Sequence, residues 1–454
     1  MSRPPLTIDS LTDELLVRIF KLVPGYLPKV PELRNRLGLE QVCRRWSAVA
    51  ASPAAAPSFK LIIVDATDDA AAMTKLARWF AVHGARVLRL LVFVKGADSG
   101  RSWTSTLPLL ALAPHLRRLH LTHFDSPPPT GAEWWRHLGS SLTELKLGCF
   151  RGAGLERIHR RGGLPPSLAC VDISNAGLTE LPRALGDLTR LTRLRIFEGN
   201  VHEAPPAAYW QVLLRLATLR NLELDLYGWP PAPRAGYDSK LPAIPLVVSA
   251  LANLTSLRVG SRSAVGALAA PGALDPLICL PCLERLEFPS AAVRQPSALT
   301  GLTALRELVL HVSEEDFRAS GDRPLIEAGL HLENLRSLEI QVYRADEEFT
   351  PATICDVRRR VIEPLGAATA LKSLRFARGY LTSDAKGPAS FLLLTVDRID
   401  DLVAGKPALR AFCAPQEMLL KVEEVGFPAL RARHPHVEFE FDIQDDSIYR
   451  RWFC

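Results

Sequence analysis

The sequence predicts an α/β chain: a curved solenoid of stacked strand-and-turn units with an inner parallel β-sheet, preceded by a small three-helix module. Three observations carry that expectation. First, the apolar spacing L-x-x-L-x-L recurs along most of the chain, most clearly in Leu168 to Pro182, LACVDISNAGLTELP. There Leu168, Val171 and Ile173 are followed, after a polar break, by Leu178 and Leu181. Second, the end of that spacing alternates with period two, as in a short strand with one buried face. A lone strand cannot bury that face, whereas stacked copies cover one another and form a continuous core. Third, 454 residues with 48% hydrophobic content exceed the usual size of one compact core. A solenoid escapes the limit because each unit touches only its neighbours.

Composition narrows the functional classes. The formal net charge of +6 is small for this length and argues against a nucleic-acid or membrane-surface binder. No apolar run reaches the roughly 18 residues of a membrane span, and the opening MSRPPLTIDSLTDELL has no signal-peptide core. Eight scattered cysteines without a pairing pattern suit a reducing compartment, cytoplasmic or nuclear.

Taken in order, the chain opens with IDSLTDELLVRIFKLV, in which Leu15, Leu16, Ile19, Phe20 and Val23 form one helical stripe behind a Ser10 or Thr12 cap. A segment broken by Pro24, Gly25, Pro28 and Pro31 leads to a second helical pattern through Leu33 and Leu37. A third follows at Val42, Trp46 and Val49. Residues 8–52 resemble an F-box. The family's opening motif stands here as Leu11, Thr12, Asp13, Glu14, Leu15, Leu16, with Ile19 and Phe20 after it. Its closing Val-Cys-x-x-Trp is Val42, Cys43, Arg44, Arg45, Trp46. Thr12 stands where the family has proline, and the stretch between Phe20 and Val42 is longer than usual. The resemblance implies binding to an SKP-type adaptor, and through it to a cullin-RING ubiquitin ligase. Leu11, Leu15, Leu16, Ile19, Phe20, Val42, Cys43 and Trp46 would form the adaptor surface, by apolar anchors seated in a partner's groove. The competing reading is a helical cap closing the solenoid. A DNA-reading trio is the weakest, with Arg44 and Arg45 its one strong basic pair.

Residues 53–58 read as a short connector, and 59–442 as the solenoid. Phe59, Ile62 and Val64 give a first strand, Met73, Leu76, Trp79 and Phe80 a helix ending near Gly84, and Val87, Leu90 and Val92 a second strand. The signature then begins at Leu116, Leu142, Leu168, Leu191, Leu219, Leu254, Leu283, Leu305, Leu335 and Leu371, with a weaker copy at Leu409, Phe412 and Ala414. Val437, Phe439 and Phe441 read as a terminal strand, and 443–454 as a cap. Intervals of 26 (Leu116 to Leu142), 23 (Leu168 to Leu191) and 28 (Leu191 to Leu219) residues resemble the leucine-rich repeat. The longer units leave room for a helix, and Leu168 to Leu191 for a tight turn. The family's ninth-position Asn is replaced by Phe124, Phe150, Ala176, Gly199, Tyr227 and Arg262, which predicts turns satisfied by water or backbone.

The residue between the last two leucines of each copy reads Lys146, Asp172, Arg195, Glu223, Arg258, Glu287, alternating in sign until Val309. In a parallel sheet these neighbours stand about 4.8 Å apart, so the row is either a self-satisfied charge ladder or a recognition surface. Lys146, Arg195, Glu223 and Arg258 are therefore substrate-binding candidates. Tyr227, Trp229 and Tyr237, in the long interval from Leu219 to Leu254, are further ones. Cys279 and Cys282 form an isolated C-x-x-C, with Cys282 read as a small apolar residue near the core, and His120 and His123 read as surface histidines. No phosphate loop, nucleophile elbow or metal-ligand spacing is present, so no catalytic residue, metal or cofactor is expected. The combination implies the substrate-recognition subunit of a Skp–cullin–F-box ligase, a monomer within a hetero-complex. The alternatives are a ligase-independent interaction scaffold and, ranked lowest, a small-molecule-dependent F-box receptor.

Overall fold

The computed structural model describes residues 12, 59–64, 74, 77–78, 80–81, 84–93, 109–122, 138–148, 164–174, 181–198, 207–226, 248–260, 275–289, 301–313, 334–343, 369–379, 396–415 and 426–442. The chain divides into two compact units, Met1–Gly199 and Asn200–Cys454.

In the first unit, each strand pairs in parallel with the next: β1 (Phe59–Val64), β2 (Val87–Phe93), β3 (Arg118–Thr122), β4 (Glu144–Gly148), β5 (Cys170–Ser174) and β6 (Arg193–Glu198). The second unit repeats the arrangement with β7 (Asn221–Leu226), β8 (Ser256–Gly260), β9 (Arg285–Pro289), β10 (Glu307–Ser313), β11 (Ser337–Tyr343), β12 (Ser373–Gly379), β13 (Ala411–Pro415) and β14 (Glu438–Asp442). Parallel neighbours in chain order, one per signature, are the geometry of a leucine-rich-repeat solenoid.

The register explains the core. Leu119, Leu145, Val171 and Leu194 stand side by side in the first unit. Leu257, Leu286, Leu308, Leu338, Leu374, Phe412 and Phe439 do so in the second. All are buried, as is every leucine that opens a signature from Leu116 to Leu409. Full burial of such a side chain contributes about 1.5–3 kcal/mol, so a strand holding two or three of them is stable only when stacked. Toward the last strands phenylalanine takes the core, with ring centroids 6.0 Å apart in both Phe376–Phe412 and Phe412–Phe439.

The opening leucine of each signature lies just before its strand, in a tight turn. Its N–H donates to the carbonyl three residues back, as in Leu116 to Ala113 (3.1 Å), Leu254 to Leu251 (2.9 Å) and Leu409 to Lys406 (3.0 Å). The next two N–H groups both donate to one carbonyl of the preceding repeat: Thr143 and Glu144 to Arg117, Arg306 and Glu307 to Glu284. Where threonine stands there, its hydroxyl adds a bond to that carbonyl, as in Thr143 to Arg117 (3.1 Å), Thr192 to Ala169 (3.1 Å) and Thr255 to Arg220 (3.2 Å). Asn253 donates to Ala217 O and Asn334 to Thr303 O at 2.8 and 2.7 Å. Backbone satisfaction at this end of the unit thus comes from hydroxyls, amides and paired N–H groups. The six ninth-position residues lie outside the described residues.

The described returns between strands are 3-10 turns or short helices, and length alone does not decide which: the 29-residue interval from Leu254 to Leu283 carries a 3-10 turn at Asp275–Cys279. The 23-residue unit from Leu168 to Leu191 carries a 3-10 turn at Arg183–Asp187, and the 28-residue one after it carries α1 (Ala207–Leu214). The longest interval, 38 residues from Leu371 to Leu409, holds α2 (Val396–Ala404), and α3 (Gly426–Arg433) precedes the final strand. Among the described residues no helix is long and apolar enough to cross a membrane. One expectation is corrected. Cys282 is exposed, as is Cys279, because Cys282 occupies an outward turn position between the buried Leu280 and Leu283. The F-box-like stretch 8–52 apart from Thr12, the connector 53–58 and the tail 443–454 lie outside the described residues.

Candidate recognition face

Because Leu145 and Leu147 face the core, Glu144 and Lys146 face the opposite side of the sheet, and the in-register neighbours β3, β5 and β6, and β7 to β9 in the second unit, keep the same parity. Outward residues therefore form rows. In the first unit one row reads His120, Lys146, Asp172, Arg195, each in register with the next. In the second the equivalent row begins Glu223, Arg258, Glu287, Val309. The candidate residues Lys146 and Arg195 are thus brought together across Asp172, and Glu223 is placed beside Arg258.

The alternating charges do pair. Asp172 Oδ2 stands 3.9 Å from Lys146 Nζ and 3.4 Å from Arg195 Nη1, and Ser174 donates to its other oxygen at 3.1 Å. Lys146 also reaches Glu144 (3.7 Å), which Arg118 holds at 3.1 Å. Asp172 sits lowest in this cluster, and Lys146 and Arg118 stand highest. Side-chain exposure is 12% for Asp172 and 24% for Glu144, against 39% for Lys146 and 51% for Arg118. Across β2 to β6 the outward face of the described residues presents Arg89, Arg118, Lys146, Arg193 and Arg195 around the carboxylates of Glu144 and Asp172. Burial and nearby Lys146 push the His120 imidazole below its usual pKa, and burial and Glu144 push the Cys170 thiol up. Both are neutral at pH 7.

The second unit differs. Glu287 is only 4% exposed, with Arg258 Nε at 2.8 Å, Arg285 Nη2 at 3.7 Å and His311 Nε2 at 3.0 Å. The sequence row breaks at Val309, and the reason is now visible. Val309 is buried, and Glu287 finds His311, two residues further along β10, in its place. Burial alone would raise the Glu287 pKa. The His311 hydrogen bond and the Arg258 charge overcome it and hold the carboxyl below its ordinary value. His311 was not a sequence candidate; its signal was the outward parity it shares with Val309. This part of the face is a closed, self-paired knot rather than an open strip.

Tyr227, Trp229 and Tyr237 lie outside the described residues, as do Leu11, Leu15, Leu16, Ile19, Phe20, Val42, Cys43 and Trp46. Among the described residues no group of three or more His, Cys, Asp or Glu side chains could hold a metal ion.

No protein-family model and no curated protein matches the chain. Among solved structures the chain is similar to internalin C2 from Listeria monocytogenes, at 16% identity and a TM-score of 0.24 over 50% of this chain and 76% of that one. It is also similar to TLR13, from its complex with ssRNA13 (14% identity, TM-score 0.31, 78% of this chain and 57% of that one). A third similar structure is the plant peptide hormone receptor RGFR1 in complex with RGF2 (14%, 0.34, 79% and 52%). The chain spans little more than half of the last two. The fold rests on its own strand order and register.

Proposed function

We propose that this chain is the substrate-recognition subunit of a Skp–cullin–F-box ubiquitin ligase. In this reading residues 8–52 grip the SKP-type adaptor and the repeat stack holds a protein to be ubiquitinated. One observation carries the reading: the two separated halves of an F-box-like motif, Leu11 to Phe20 and Val42 to Trp46, stand in order directly ahead of a leucine-rich-repeat stack. The stack supports a protein partner because its outward rows are polar, laid on a rigid sheet, and partly cationic. The chain itself performs no chemistry. It acts by proximity, raising the effective concentration of its target near the ligase.

The test is co-purification of the full chain with an SKP-type adaptor. The proposal expects a stoichiometric complex that is lost in Trp46→Ala and in the double variant Leu15→Ala/Leu16→Ala, while the repeats still unfold at the wild-type temperature. Absence of any complex with the wild-type chain would leave the ligase-independent scaffold as the function.

A further inference from the structure

The position just after each opening leucine sits at the entry to the strand, and its backbone links one repeat to the next. In the first unit, and at β8, its occupants include Thr143, Thr192 and Thr255, whose hydroxyls reinforce the carbonyl ladder. From β10 to β13 the occupants are Arg306, Arg336, Lys372 and Arg410. They are in direct register, since the N–H groups of Arg336, Lys372 and Arg410 donate to the carbonyls of Arg306, Arg336 and Lys372 at 2.9, 2.8 and 2.8 Å. All four side chains are exposed.

We propose that this cationic row is a docking site for an acidic protein segment. The fold does not need charge there, because threonine serves the ladder better. Like charges in adjacent register are unfavourable by themselves. Among the described residues no carboxylate forms an ion pair with any of the four. Glu307, beside Arg306, is engaged by Arg285 at 3.2 Å, and the flanking positions on the next three strands are Ser337, Ser373 and Ala411. Arg410 is steadied by its own turn, donating to Pro407 O and Leu409 O at 3.1 and 3.0 Å.

Geometry and chemistry select the partner. Four cations at about 4.8 Å per strand make a line of about 14 Å. Carboxylates three and four residues apart on a helix stand about 5–6 Å from one another, close to that step. A nucleic acid would also meet the charge, but the flanking Glu307, Ser337, Ser373 and Ala411 offer no ring for bases to stack on. The row uses none of the residues of the F-box-like stretch, and its test does not depend on adaptor binding.

The experiment uses the full chain and a fluorescent alanine-rich helical peptide carrying glutamate at i, i+3, i+7 and i+10. The same peptide with glutamine and a single-stranded oligouridylate serve as comparisons. The glutamate peptide is expected to bind at least tenfold more tightly than either, and to weaken several-fold between about 50 and about 200 mM salt. Replacing Arg306, Arg336, Lys372 and Arg410 together by serine should abolish the difference with the unfolding temperature unchanged. Removing four exposed cations of the first unit instead (Arg78, Arg117, Arg183 and Arg190 to serine) should leave binding within twofold. Equal loss in both quadruple variants, or tighter binding of the oligouridylate, overturns the assignment.

Discussion

Lys406 shows how one residue can be both out of place and accommodated. It occupies the turn position that Leu216, Leu251 and Leu280 fill in earlier repeats, and it is fully buried. Its ammonium donates to Leu402 O at 2.9 Å, near the C-terminal end of α2 where positive charge is favoured. Burial pulls its pKa from 10.5 to about 8. Between those values the unfolded chain binds more protons than the folded one, so stability rises with pH across that window. Lys406→Met should raise stability at pH 7 by about 2–3 kcal/mol and remove that rise, as read by urea unfolding at several pH values. Glu287 gives stability the same direction of change with pH for the opposite reason: the fold favours its charged form and disfavours that of Lys406. Its folded pKa lies below 4.5, so the stability it confers is present above that value and is lost as pH falls through the folded pKa. Glu287→Gln strands Arg258 beside a neutral group; it should cost about 2–4 kcal/mol at pH 7 and flatten the acid limb of the same titration.

At the scale of the strand and its entry turn, close backbone approach sets the tolerance. A Cβ at Gly139 would lie 2.5 Å from the Pro114 carbonyl oxygen of the preceding repeat, so Gly139→Ala must displace backbone. A loss of at least about 2 kcal/mol, with a lowered unfolding temperature, is expected. Thr255→Val removes one hydroxyl bond to Arg220 O and should cost about 0.5–1.5 kcal/mol. The strands were legible from sequence because Leu145 and Leu147, or Leu286 and Phe288, alternate with charged residues that cannot be buried unpaired. The entry turns were not, because the ladder of N–H groups to Arg117, Glu284 or Arg336 carbonyls leaves no mark on side-chain type. The alternation from Lys146 to Glu287 was readable, but not the burial of its last member. That burial depends on His311 and Arg258 reaching across strands, which no spacing rule encodes. The row from Arg306 to Arg410 was available as a recurring L-[RK]-x-[LF]. It is visible only when the second position of each copy is aligned and not the fifth.

At the scale of the molecule, each repeat is stable only through its neighbours, so the last one needs fastening. Asp400 on α2 accepts from Arg433 and is in contact with His434 Nε2 at 2.7 Å, tying α3 and the β14 repeat to the one before. Asp400→Ala should loosen that end first, seen as faster amide exchange in β14 with β7 to β10 unchanged. The fold as a whole depends on parallel, in-register stacking of the signatures. The most direct test places nitroxide labels at Arg220→Cys and Arg410→Cys in a chain whose eight native cysteines are replaced by alanine, and measures their separation by pulsed electron resonance. Six inter-strand steps predict one population centred at about 29 Å, widened by the label arms. A distribution centred beyond about 45 Å, or several separate populations, would contradict it.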